Sequence, residues 1–180
     1  MIDRIERIGL PDDLRQKLFH HCRRKFENNF LPGETGERKA YGIIGGYIKD
    51  KAIKVGEIYQ LKKNLRFDNR FDESMTGMMA EHAIPSKTPF EKRGWVADPE
   101  ELLKIYEDSE NKGMIICGSY HMHIVPWKHD SRRETPTEID AALARDSNMF
   151  QFIISLVDPR RPVVRAFYEG DSDREVPIKG

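Results

Sequence analysis

Met114-Ile115-Ile116-Cys117-Gly118-Ser119-Tyr120-His121-Met122-His123 is the stretch from which the rest of the chain is read. It opens as a short apolar run, residues 114–117, between Gly113 and Gly118, and such a run predicts a buried strand. Side chains alternate faces along a strand, so His121 and His123 project together from its end. Two imidazoles on one face suit a zinc ion, which takes neutral His nitrogens at about 2.0–2.1 Å.

A third ligand is expected from Thr135-Pro136-Thr137-Glu138-Ile139-Asp140. This segment has the form of a helix start: Thr135 is the expected cap, Pro136 fits the first helical position, and Glu138 would close a capping box. Thr137 and Asp140 are three apart and share a face of that helix. Two His and one Asp leave a fourth zinc position open, the pattern of a catalytic site. Asp130, in the intervening loop, is the alternative carboxylate; the helix start favours Asp140. His129 could add a ligand from the same loop, or be a surface histidine.

Gly-x-Tyr-His-x-His at residues 118–123, followed by Pro-Thr-x-x-Asp at residues 136–140, resembles the motif of the JAMM/MPN metalloproteases, which reads His-x-His, a spacer, then Ser-x-x-Asp. Gly42-Ile43-Ile44-Gly45 is similar to that family's first core strand. The resemblance spans residues 40–168. It implies an α/β fold, a mixed curved sheet flanked by helices and related to the deaminase architecture. It implies zinc as cofactor, with His121, His123 and Asp140 as ligands and Thr137, where Ser is usual, as the hydroxyl that stabilises an oxyanion. It implies a peptide or isopeptide hydrolase whose substrates include the tails of ubiquitin-like and sulfur-carrier proteins. Met122 and Ile124 stand where the family usually has Ser and Pro, and the spacer before Asp140 is longer than usual.

The resemblance also calls for a Glu as general base, three residues before the position of Gly42. Lys39 stands there instead. Strand parity points to Glu37, two residues back on the same face. That displacement is about 6.6 Å, which a bulge would have to recover. Glu34, in the glycine-bounded loop 33–36, is the competitor. Two rival functions follow from other classes. One is an MPN-type scaffold that binds partners and hydrolyses nothing, with or without a metal; retention of all three ligands argues against the metal-free form. The other is a zinc hydrolase of a small amide or a nucleobase, and the nucleobase version lacks the Pro-Cys-x-x-Cys ligands of deaminases.

Composition sets the frame. The chain has 180 residues, 33% charged and 38% hydrophobic, with 30 basic and 30 acidic residues, so the formal net charge is zero. That is enough for one globular domain over residues 1–180. A neutral balance gives no basic footprint for nucleic acid. No apolar run reaches the length of a membrane span, and the N-terminus lacks a signal-peptide core, so a cytoplasmic protein is expected. The two cysteines, Cys22 and Cys117, form no Cys-x-x-Cys pair and are expected as buried free thiols.

Along the chain, residues 11–29 predict an amphipathic helix with Leu14, Leu18, Phe19, Cys22 and Phe26 on its apolar stripe. Residues 40–48 and 52–61 predict a hairpin around Lys49-Asp50-Lys51. Residues 62–93 read as an insertion, polar and irregular; its Met75, Met78 and Met79 either line a substrate groove with Trp127 or form a short helix packed into the core. Asp98 is expected to cap a helix ended by Gly113, with Glu101 closing the box. After the Thr137 helix, expected over residues 136–147, residues 150–157 and 162–168 predict strands, and residues 175–178 a possible further one.

Overall fold

The computed structural model describes residues 2–86 and 88–180; Met1 and Lys87, at the ends of the expected domain and within the expected insertion, lie outside the described residues. Eight strands form one mixed sheet: β1 (Arg7–Gly9), β2 (Tyr41–Lys49), β3 (Ala52–Gln60), β4 (Ile115–His123), β5 (Phe150–Ser155), β6 (Val163–Tyr168), β7 (Glu175–Val176) and β8 (Ile178–Lys179). Among the described residues four α-helices accompany them: α1 (Asp12–Phe26), α2 (Asn69–His82), α3 (Pro99–Asn111) and α4 (Glu138–Ala144). The strand order is β7-β6-β5-β4-β2-β3-β1-β8. Among the described residues no helix is long and apolar enough to cross a membrane.

The β2–β3 hairpin turns at Asp50 and Lys51, both with positive φ. Two such residues match the right-handed twist of the flanking strands. β4 lies in mid-sheet, antiparallel to β2 and parallel to β5, with α4 in the β4–β5 crossover. Gly42 of β2 is required by close approach: a Cβ there would fall 2.1 Å from the Tyr59 carbonyl and 2.5 Å from the Tyr120 ring. One residue, Cys117, is extra on β4, since Ile44 pairs with Gly118 and Gly45 with Ile116. Such a bulge adds local twist just before the strand reaches its histidines.

The two edges of the sheet meet. β7 hydrogen-bonds β6 at one edge and β8 hydrogen-bonds β1 at the other, yet only Pro177 separates β7 from β8. The sheet is therefore curled until nearly closed. Pro177 has no N–H to leave unpaired at the junction, and its carbonyl accepts from Ile8 N at 3.0 Å. Curling of this kind leaves the sheet ending in edge strands of only two residues each, and short edges resist pairing with other chains.

Alternation along β4 divides the interior. Tyr120 and Met122 join the main core, where α1 packs Leu18, Phe19 and Cys22 against Ile44, Phe152 and Ile154. Tyr41, which pairs directly with His121, belongs to a second core on the opposite face, with Ile43, Leu61 and Ile105 of α3. Burial at about 25 cal/mol per Å² of apolar surface makes these two layers the main favourable term in folding. Cys22 and Cys117 are free and buried, as expected.

Several expectations are corrected. The first helix is shorter than residues 11–29, because Asn28 turns left-handed (φ 58°) and ends it. The insertion is more regular than its composition suggests: of its two readings the short helix is the one found, α2, capped by Asp68, and a 3-10 turn follows at Phe90–Lys92. α3 is capped by Asp98 as expected, but Glu101 accepts from Lys62 N rather than closing a box. α4 begins two residues later than expected and ends earlier, at Ala144. β1 was not foreseen; it pairs in parallel with β3.

Candidate metal centre

β4 delivers His121 and His123 to the face that carries Tyr41, and both are buried. α4 brings Asp140, also buried, onto them. His121 Nε2 lies 2.9 Å from His123 Nε2 and 3.2 Å from Asp140 Oδ1, and His123 Nε2 lies 3.5 Å from Asp140 Oδ2. The three residues offer ligand atoms all within 4.8 Å of one another and could hold a metal ion. Ligands at about 2.0–2.1 Å in tetrahedral array stand about 3.3 Å apart, so the observed spacings bracket what zinc would need. Two imidazoles and one carboxylate also suit zinc chemically.

The three side chains are oriented by their neighbours. His123 Nδ1 is 3.1 Å from the Arg133 carbonyl, a bond that places the proton on Nδ1 and leaves the Nε2 lone pair facing the other ligands. Arg133 holds its carbonyl there from a left-handed conformation, φ 52°. Asp140 Oδ2 accepts from both the Thr137 N–H and the Thr137 hydroxyl, each at 2.7 Å. Oδ1 is left facing His121. The Nδ1 of His121 is buried with no partner among the described residues.

Burial alone would raise the Asp140 carboxyl, but His121 and His123 beside it outweigh burial and hold it well below the usual carboxylate range. Burial lowers His123 below an ordinary imidazole, more than the Asp140 contact raises it. An ionised carboxylate and a neutral imidazole are the protonation states a metal requires. Burial likewise lowers the Arg133 guanidinium, against the pull of Asp140 and Asp130.

The helix cap corrects the reading of the sequence. Thr137, not Thr135, caps α4, and Asp140, not Glu138, closes the capping box. The carboxylate that faces the histidines thus serves the helix too. Thr135 instead bonds Asp130, whose Oδ2 accepts from its N–H and hydroxyl at 3.1 and 2.6 Å. That occupation explains why Asp130 stays in the loop and outside the ligand group. His129 packs edge-on to Trp127, with ring centroids 4.9 Å apart.

The proposed bases separate. Glu34 belongs to the α1 face: Arg24 grips it at 2.6 and 2.7 Å, Lys25 lies at 3.7 Å, and its side chain is 1% exposed. Burial opposes ionisation of Glu34, but Arg24 and Lys25 prevail and lower it to about 2. His121 and His123 leave from the opposite face of the sheet, so Glu34 is not brought to them. Glu37 lies on their side. It accepts from the hydroxyl of Tyr41, the residue opposite His121, at 3.2 Å. Asn64 Nδ2 gives a second bond at 2.7 Å, and Lys39 Nζ pairs with the other oxygen at 2.7 Å. Tyr41 in turn stacks on Trp95 with centroids 4.8 Å apart.

The methionines do not line a groove. Met75 and Met79 of α2 are buried against Ile139, the residue before Asp140. The insertion is a buttress for α4, tied further by His82 Nδ1 and Glu138 Oε1 at 3.0 Å. Arg133 and Asn64 escaped the sequence reading. One acts through its carbonyl and the other through a loop amide, and neither leaves a spacing pattern.

No protein-family model matches the chain, and no curated protein matches it in sequence. Solved structures do share its fold. A solution structure of a protein from Desulfitobacterium hafniense is similar with a TM-score of 0.63 and 22% identity, covering 96% of this chain and 91% of that one. A solution structure of a protein from Salinibacter ruber is similar with a TM-score of 0.53 and 15% identity, covering 96% and 90%. The chain thus has the overall fold of these two bacterial proteins.

Proposed function

We propose that the protein is a zinc-dependent peptide or isopeptide hydrolase of the JAMM/MPN type, acting on a protein tail such as that of a ubiquitin-like or sulfur-carrier protein. The observation that carries this reading is the convergence of His121, His123 and Asp140 within 4.8 Å, with the carboxylate pinned by the cap of α4. When bound, the ion supplies Lewis acidity, which polarises a carbonyl and makes water a competent nucleophile near neutral pH. His121, His123 and Asp140 would hold it.

The chain's own groups supply the rest. Glu37 is the base assigned to accept a proton from water and return it to the leaving amine. Tyr41, Asn64 and Lys39 fix its carboxylate in place, and fixed groups need no reorganisation during reaction. Thr137 gives its single hydroxyl proton to Asp140 in the resting site. To serve an oxyanion it must rotate away from that bond, so its first task is to orient the ligand.

A second reading is a metal-binding scaffold without turnover. The grip on Glu37 favours it, because the Lys39 ammonium already satisfies one carboxylate oxygen. Elemental analysis of the purified protein, together with cleavage of a ubiquitin-like protein carrying a C-terminal extension, separates the two. About one zinc per chain with cleavage supports the hydrolase. Zinc without cleavage supports the scaffold, and full zinc occupancy in His121→Ala overturns both.

A further inference from the structure

A polar cleft of about 360 Å³ opens beside the metal centre, between α4 and the turn joining β6 to β7. None of His121, His123 and Asp140 lines it, but two of its walls adjoin them. Thr137 lines it and also holds Asp140 Oδ2. Gly170 lines it from the turn, so close to α4 that a Cβ there would come within 3.0 Å of the Asp140 carbonyl.

Two guanidiniums stand on the walls, Arg145 from the end of α4 and Arg174 just before β7. Both are exposed, and among the described residues neither has a carboxylate partner. Arg174 is held over the Tyr168 ring, 4.0 Å from its centroid, which braces it while leaving its N–H groups free. The carboxylates on the same walls are engaged locally. Glu138 meets His82 at 3.0 Å, Glu169 accepts from Asn148 N at 2.8 Å, and Asp171 accepts from Asp173 N at 2.9 Å. Unpaired donors in fork geometry recognise carboxylates better than any other side chain does.

We infer that this cleft binds the carboxylate-bearing part of a peptide, with Arg145 and Arg174 as its anchors. The assignment deepens the hydrolase reading and rests on it for treating that peptide as substrate. The carboxylate has two sources, the C-terminus of a chain or an acidic side chain.

The test is an NMR titration of the zinc-loaded full chain with three peptides: acetyl-tetraglycine with a free C-terminus, the same peptide amidated, and an amidated acetyl-glycine peptide with a central Glu. Shifts at the Gly170 and Ser172 amides report the cleft. Binding by the first peptide identifies the terminal carboxylate as the ligand, and binding by the third identifies the side chain. Either should weaken about tenfold in Arg145→Ala or Arg174→Ala, as loss of one charge-assisted contact predicts. Equal binding of the amidated tetraglycine, unchanged affinity in the double variant, or no shift with any peptide overturns the assignment. The arginines are exposed, so the variants are expected to fold. Arginine-dependent binding by a protein that cleaves nothing would retain the cleft and sink the hydrolase; cleavage with arginine-independent binding would do the reverse.

Discussion

Thr137 gives both its backbone N–H and its hydroxyl to one oxygen of Asp140, each at 2.7 Å. A single residue therefore starts α4 and aims the carboxylate toward His121 and His123. Thr137→Ala keeps the N–H and loses the hydroxyl. Zinc affinity should fall about tenfold, the lower end for loss of an outer-shell partner, and stability by about 1 kcal/mol for the lost cap. Thr137→Ser should restore both. Chelator competition and thermal melts would show it.

Arg133 supports His123 through its carbonyl from a left-handed backbone. Arg133→Gly should leave zinc binding intact, because glycine adopts that φ without cost. Arg133→Val removes the same side chain but resists the conformation, at a cost of roughly 1–2 kcal/mol. Zinc affinity should then drop about tenfold. Equal affinities in the two variants would show that the carbonyl's placement does not matter.

Met79 is buried between α2 and Ile139. Met79→Ala should cost about 2–5 kcal/mol, the usual range for a buried Met truncated to Ala. Because the cavity would lie behind α4, zinc affinity should fall along with stability. Met79→Leu, which keeps the volume, should recover both.

How much of this was legible is uneven. The apolar run before His121 and the parity of β4 were enough to place His121 and His123 on one face, and Thr-x-x-Asp was enough to bring Asp140 to them. The cap was misplaced by two residues because Asp140, read as a ligand, also completes the box. α2 lies in a polar segment where Met75, Met78 and Met79, an i, i+3, i+4 set, fit a short helix and a groove equally well, so the sequence left both readings open. β1, β7 and β8 have three, two and two residues. No periodicity can show in strands that short, so the near closure of the sheet was invisible. It depends on tertiary contacts that only Pro177 punctuates.

His21 titrates against folding. Burial lowers it to about 3 from its ordinary value near 6.5, while its Nδ1 stays 2.8 Å from the Tyr120 hydroxyl. The folded-state pKa is the lower one, so the unfolded chain binds the extra proton. Stability is full above pH 6.5 and is lost as pH falls toward 3, by up to about 1.4 kcal/mol per pH unit. His21→Gln keeps a partner for Tyr120 and removes the titration. Denaturant melts of zinc-free protein between pH 6.5 and 5.5 should show a shallower slope in the variant. His123, also lowered by burial, contributes in the same window and leaves a residual slope in both proteins.

The general base is tested by contrasting two glutamates with opposite surroundings. Glu34→Gln removes the negative charge from between Arg24 and Lys25, both buried. Uncompensated buried charge typically costs about 3–5 kcal/mol, so this variant should melt early whatever its activity. Glu37→Gln keeps an acceptor for Tyr41 and Asn64 but turns an amide toward Lys39, on a surface only partly buried. It should fold, hold zinc at wild-type stoichiometry and lose turnover by at least about a hundredfold, since a base is not a ligand. The double variant Lys39→Met, Glu37→Gln removes the ammonium–amide clash, so it separates lost chemistry from local strain. If it regains turnover, Glu37 is a structural residue; if it stays inactive while keeping zinc, the carboxylate is the base. Wild-type turnover in Glu37→Gln itself would exclude Glu37 outright.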